Sequence, residues 1–105
     1  MQEQTTHDAA EDPRNATLKF YLDGRIVGAE EAVVSVYDSG FLLGDGVWEG
    51  LRLYDGRWAF LDDHLDRLFE AAKAIDLDIG LDRAGVVTAL ESLRAANGME
   101  TDAHA

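Results

Sequence analysis

Arg67 is the residue whose type and setting best suit chemistry. It lies about one turn into a stretch of helical period, between the apolar Leu65 and Leu68, at the edge of an apolar stripe. A guanidinium there offers several fixed N–H donors near the positive end of a helix dipole, which suits a phosphate. The chain carries 21 acids against 9 bases, a formal charge of -12, so an anionic ligand needs such a local positive focus. The competing reading is a surface ion pair with Asp63 or Glu70 at helical spacing, the commoner state of a helical arginine. His64, at the first helical turn after an acid, reads as a structural side chain and not as a general base. Asp62, Asp63 and Asp66 read as helix caps, since nothing around them supplies the oxygen-rich loop of a calcium site. The two lysines, Lys19 and Lys73, are poorly placed to act beside Arg67. Lys73 lies roughly 240° around the helix from it at about 100° per residue.

The second feature is the stretch Tyr37-Asp38-Ser39-Gly40-Phe41-Leu42-Leu43-Gly44-Asp45-Gly46-Val47-Trp48-Glu49-Gly50. Glycine at this density carries too much backbone entropy for an amphipathic helix, and it suits an unbroken strand no better. It predicts a shaped loop that admits close approach, followed by a strand from about Val47. Gly44 to Gly50 superficially matches a dinucleotide fingerprint, but the third glycine comes one position late and the segment enters a strand instead of opening a helix. A tight turn between strands and a ligand-facing loop both remain open. Phe41 and Trp48 either line a pocket or fill the core, and aromatics at strand spacing are more often core.

The elements that must position these residues divide at about residue 60. Leu18 to Leu22 and Arg25 to Val27 read as a hairpin around Asp23-Gly24, and Val33 to Val36 as a third strand rich in β-branched residues. Val47 to Tyr54 alternates, with Val47, Glu49, Leu51 and Leu53 on one face and Trp48, Gly50, Arg52 and Tyr54 on the other. Asp55-Gly56 then turns the chain into Arg57 to Phe60. Beyond that the period becomes helical, with Leu65, Leu68, Phe69, Ala72 and Ile75 on one stripe and Asp62 or Asp63 as N-cap. A second helix starts at Asp82 and stops at Asn97-Gly98, and the tail from Met99 carries no element signal. The fold class predicted is α+β, an antiparallel meander followed by two helices.

With 105 residues and 47% apolar composition there is room for a single domain with a modest core. Residues 1–16, polar, acidic and without period, read as a disordered leader, and 17–105 as the domain. The acidic balance argues against nucleic acid as a partner. Without cysteine there is no disulfide or thiolate metal site. No apolar run approaches a membrane span of about 18 residues, and no signal-peptide layout is present, so a cytoplasmic protein is expected.

The order and spacing of Asp38-Ser39-Gly40-Phe41, Gly44 to Gly56 and Leu61-Asp62-Asp63-His64-Leu65-Asp66-Arg67-Leu68 resemble the N-terminal domain of class IV, fold-type IV pyridoxal-phosphate enzymes. That family includes branched-chain and D-amino acid aminotransferases, (R)-selective amine transaminases and aminodeoxychorismate lyase. The resemblance covers roughly Leu18 to Gly98. It implies that Arg67 grips the cofactor phosphate and that Phe41, Leu43, Trp48 and Gly50 line the substrate pocket, often shared across a homodimer. Branched-chain enzymes commonly carry tyrosine where Leu43 stands, and D-amino acid enzymes where Phe41 stands. The Glu49 to Arg52 run leans towards the branched-chain group. The lysine that bonds the cofactor belongs to a second domain in that family, so the resemblance implies that the chain is an inactive fragment of an enzyme acting on an amino acid and a 2-oxo acid. Within the enzyme class the alternative is an aminodeoxychorismate lyase or an (R)-selective amine transaminase, and a non-catalytic interaction module is the alternative from another class.

Overall fold

Two Asp-Gly pairs shape the β-structure. Asp23 and Gly24 adopt φ of 51° and 84°, and Asp55 and Gly56 adopt 50° and 78°, as a two-residue turn between right-twisted strands requires. The computed structural model of the chain describes residues 13–105. Residues 1–12 of the expected leader lie outside the described residues, and its remainder belongs to a 3-10 turn over Pro13–Thr17. The first hairpin pairs β1 (Lys19–Leu22) with β2 (Arg25–Gly28), Leu22 opposite Arg25 and Lys19 opposite Gly28.

Val33 to Val36 do not form the expected third strand. The segment is irregular, and Val33, Val34 and Val36 are all exposed. β-Branched composition favours a strand only where a neighbouring edge supplies the hydrogen bonds. Here the recorded backbone bonds are local, from Val33 N–H to the Glu31 carbonyl and from Asp38 N–H to the Ser35 carbonyl. The glycine-rich stretch is not wholly loop either, because Ser39–Leu43 closes into a single-turn helix, α1. Asp38 Oδ2 caps it, accepting from the N–H of Gly40 and Phe41 at 3.0 and 3.2 Å. Gly44 ends it in the left-handed region at φ 74°. The short cap-to-cap unit overrides the poor helix propensity of its glycine.

The second sheet has the order β4-β3-β5, all antiparallel, with β3 at Arg52–Tyr54, β4 at Arg57–Trp58 and β5 at Ala103–His104. β3 is shorter than the strand expected from Val47, and the tail forms β5 where no element was expected. β5 covers the second edge of β3, and Leu51 exchanges both backbone hydrogen bonds with Ala105 beyond it. Arg94 holds this tail in place through Nε to the Met99 carbonyl and Nη2 to the Glu100 carbonyl, at 2.9 and 2.6 Å.

Helix α2 spans Leu61–Ala74 and α3 spans Arg83–Ala96. Asp82 caps α3 as expected, accepting from Gly85 N–H at 2.7 Å. The cap assigned to Asp62 or Asp63 is corrected: Phe60 precedes α2 in a left-handed conformation without a side-chain cap, and both acids lie in the first turn. There they still meet the positive end of the dipole. Arg83 joins the starts of the two helices, donating to Asp66 Oδ1 at 2.7 Å and to the Asp62 carbonyl at 2.9 Å. Helix α3 packs on β1 and β2. The buried apolar residues are Val27 on β2, Leu51 and Leu53 in and just before β3, and Leu65 and Ala72 on α2.

Candidate functional site

The predicted alternation holds from Trp48 to Tyr54: Glu49, Leu51 and Leu53 point inward, while Trp48, Arg52 and Tyr54 are exposed. The pattern turns a carboxylate towards the core, where it must find donors or lose hydration without compensation. Helix α2 supplies them. His64 and Arg67 are three residues apart and share a helix face. Arg67 Nε donates to Glu49 Oε1 at 2.9 Å, Arg67 Nη2 to Glu49 Oε2 at 3.3 Å, and His64 Nδ1 lies 2.6 Å from Glu49 Oε2. The Glu49 and His64 side chains are only 15% and 17% exposed, whereas that of Arg67 is 59% exposed.

Two hydrogen bonds, from Arg67 first and His64 second, lower the Glu49 pKa from 4.5 to about 2, so its carboxylate is ionised throughout the neutral range. The same bond from Arg67 to Glu49 raises the pKa of the guanidinium. An ionised Glu49 also fixes the histidine tautomer. His64 Nδ1 lies 2.9 Å from Arg67 Nη2 as well, but one nitrogen cannot donate to Glu49 and accept from Arg67. The short contact with a carboxylate puts the proton on Nδ1. Arg67 thus uses its Nε/Nη2 edge on Glu49, and Nη1 has no partner among the described residues.

The ion pair weighed for Arg67 on its own helix is replaced by this longer-range one, 18 residues back in sequence. Trp48 and Gly50 flank Glu49 in sequence on the other face of the segment, Trp48 with 86% of its surface exposed and Gly50 half-buried, and no recorded hydrogen bond joins either to Arg67. Phe41 and Leu43 lie on α1, both exposed, and no recorded hydrogen bond joins that turn to Arg67. The loop glycines do not share one role. A Cβ on Gly40 would stand 2.9 Å from the capping Asp38 carboxylate, while one on Gly46 would meet nothing within 4 Å.

A largely apolar cavity of about 240 Å³ opens elsewhere, between β1, α3 and the tail, lined by Phe20, Trp58, Leu90, Leu93 and Met99 among others. It contains neither Arg67 nor Glu49. Among the described residues there is no cluster of three or more His, Cys, Asp or Glu able to hold a metal ion, and no helix long and apolar enough to cross a membrane.

The family described as Amino-transferase class IV matches residues 46–104, a span that takes in Trp48, Glu49, His64 and Arg67. The chain belongs to the class IV aminotransferase family. A Methanocaldococcus jannaschii protein provisionally named branched-chain-amino-acid aminotransferase is 46% identical over 76% of this chain and 28% of its own length. A D-alanine aminotransferase of Listeria monocytogenes is 37% identical over 80% of this chain and 29% of its own length. The crystal structure of a branched-chain aminotransferase from Thermoproteus uzoniensis with norvaline superposes with a TM-score of 0.74 at 37% identity, over 83% of this chain and 31% of that one. The class IV chain described here thus spans under a third of the length of these relatives. Its α+β architecture agrees with the sequence-based expectation.

From the sequence, Glu49 has no evident role beside Arg67, and His64 reads as a structural side chain without Glu49 named as what it holds. The signal was present: an acid on the otherwise apolar face of an alternating strand needs a cation, and Arg67 with His64 at helical spacing provides one.

Proposed function

We propose that this chain is the phosphate-anchoring part of a pyridoxal-phosphate-dependent aminotransferase, which moves an amino group between an amino acid and a 2-oxo acid. The observation that carries the reading is the division of labour on Arg67. One edge of its guanidinium is bound by Glu49, while Nη1 is without a partner among the described residues on a side chain that is 59% exposed. That donor set fits the phosphate of the cofactor, because a planar guanidinium fixed on one edge presents the other at a defined angle. When bound, pyridoxal phosphate supplies the electron sink for amino transfer.

The chain's own residues bind and orient. Arg67 holds the phosphate through Nη1, and Glu49 keeps the guanidinium from swinging. Trp48 and Gly50, on either side of Glu49, form the substrate-facing wall, and the apolar Phe41 and Leu43 extend it and exclude water. Lys19 and Lys73 are both exposed, and the lysine that handles the proton is assigned to a part of the enzyme outside these 105 residues. The 105 residues alone are accordingly expected to be inactive. Branched-chain amino acids are the favoured substrates, supported by the names of the archaeal relatives and by the Glu49 to Arg52 run. The Listeria relatives support a D-amino acid as the second reading. The exposed apolar arm from Val33 to Trp48 favours a homodimer, in which such surface is covered, and the protein is taken to be cytoplasmic.

The test compares pyridoxal 5′-phosphate with pyridoxal, which lacks the phosphate, on the apo form of the full-length enzyme. Arg67→Ala should weaken binding of the phosphorylated form by roughly tenfold to a hundredfold, the worth of one or two charge-assisted hydrogen bonds, and leave pyridoxal unaffected. Equal losses for both, or none, would remove Arg67 from the phosphate. Parallel assays on L-leucine and D-alanine with a 2-oxo acid acceptor decide between the substrate readings.

A further inference from the structure

The pairing of Glu49 with Arg67 places a negative charge beside a proposed phosphate anchor, which at first sight works against binding a dianion. Its geometry argues otherwise. Glu49 takes the Nε and Nη2 donors, at 2.9 and 3.3 Å, and leaves Nη1. A free arginine side chain would lose its rotamer freedom on gripping a ligand, whereas one already held has lost it in the folded protein. Glu49 is itself held, because His64 Nδ1 lies 2.6 Å from its Oε2 and both side chains are largely buried. The arrangement is a chain of restraint running from α2 to the segment before β3 and back to the same helix.

We propose that Glu49 is a positioning residue for Arg67, and that His64 fixes Glu49, so that Nη1 of Arg67 is presented to a phosphate group in one orientation before the ligand arrives. This rests on the reading of Arg67 as the phosphate anchor and assigns its support to two residues that do not touch the ligand. Two effects of Glu49 oppose each other, the orientation it imposes and the repulsion it exerts, and the proposal is that orientation wins.

The experiment is a double-mutant cycle on the apo full-length enzyme, reading the ratio of affinities for pyridoxal 5′-phosphate and pyridoxal. Glu49→Ala should lower that ratio roughly tenfold, the scale on which supporting groups act at ligand sites, and have no further effect in an Arg67→Ala background. If the ratio rises, repulsion dominates and the proposal is overturned. If Glu49→Ala lowers it as much without Arg67 as with it, Glu49 acts on the fold and not on Arg67, which also overturns it. If Arg67→Ala leaves the ratio unchanged, it is the anchor itself that fails. A drop with Arg67→Ala but none with Glu49→Ala rejects the positioning role alone. Should Glu49→Ala fail to fold, Glu49→Gln takes its place, together with the solvent exchange of the Arg67 Nε–H seen by NMR. That exchange should be slow in the wild type and accelerated in the Gln variant, and equal rates would overturn the proposal.

Discussion

Glu49 Oε1 accepts a hydrogen bond at 2.9 Å from Nε of Arg67, a residue 18 positions later in the chain. That contact joins the segment entering β3 to the second turn of α2. It also explains why Arg67 sits at the edge of an apolar stripe. From there the methylene stem can follow the core while the head reaches both the half-buried Glu49 carboxylate and solvent. A surface pair with Asp63 or Glu70 would have used the guanidinium on its own helix and left Glu49 turned inward with only His64.

The same pair should make stability depend on acid. In the fold the Glu49 pKa is lowered to about 2 from 4.5, chiefly by the Arg67 hydrogen bond and next by His64. Because the folded value is the lower one, the carboxylate stabilises the fold in full above its ordinary value, and this contribution fades as pH falls towards about 2. Melting temperatures of the wild type and Glu49→Gln should therefore differ most above about pH 5 and converge on acidification. A gap between the two curves that stays constant across this range would show that the Glu49 charge contributes nothing.

The two helix starts predict different sensitivities. Asp82 accepts from Gly85 N–H at 2.7 Å, a true N-cap, so Asp82→Ala should cost about 1 kcal/mol. Asp63 lies in the first turn of α2, which has no side-chain cap hydrogen bond, and Asp63→Ala should cost no more than about 0.5 kcal/mol through the dipole. Denaturant midpoints of the two variants measure the difference. Equal losses would mean that the acid in the first turn of α2 does more than meet the dipole.

What was legible in the sequence followed local chemistry. Asp23-Gly24 and Asp55-Gly56 specify their turns by residue type, Asp82 its cap, and the alternation from Trp48 to Tyr54 its two faces. What was not legible depended on partners distant in sequence. Val33 to Val36 have the composition of a strand but no edge to join, while Ala103 and His104, without strand composition, are recruited by the free edge of β3. Helix α1 depends on Asp38 and Gly44 acting at either end of one turn, which outweighs the glycine within it. At the site, the place of Arg67 at the edge of the apolar stripe was legible and its pairing with Glu49 was not, because the partner of a half-buried acid becomes visible only once the segment before β3 and the helix are docked.

Asn97 supplies a third test, of how the first hairpin is held to α3. Its Oδ1 accepts from Lys19 N–H at 2.8 Å and its Nδ2 donates to the Lys19 carbonyl at 3.0 Å, across 78 residues of sequence. The side chain imitates a neighbouring strand for one residue of β1 and anchors it to the end of the helix. Asn97→Ala leaves both backbone groups of Lys19 without these bonds and should destabilise by about 1–3 kcal/mol. Asn97→Asp keeps the acceptor but loses the donor and should fall between. If the alanine variant unfolds at the wild-type denaturant concentration, water replaces the clamp without cost.

Leu53 and Trp48 stand on opposite faces of the same alternating segment, and they separate folding from function. Leu53 is fully buried in the central strand of its sheet, whereas Trp48, next to Glu49 in sequence, is 86% exposed. Leu53→Ala removes packed methyl groups and leaves a cavity, so it should cost about 2–5 kcal/mol. Trp48→Ala removes little from the core of this chain and should alter its stability by no more than about 0.5 kcal/mol. In the full-length enzyme the order reverses. Trp48→Ala should change the ratio of kcat/KM between a large and a small amino acid, because the indole is the side chain proposed to face the substrate. Leu53→Ala, once folded, should leave that ratio as it was. A tryptophan variant with unchanged discrimination and reduced stability would move Trp48 from the substrate wall to an interface covered in the assembled enzyme.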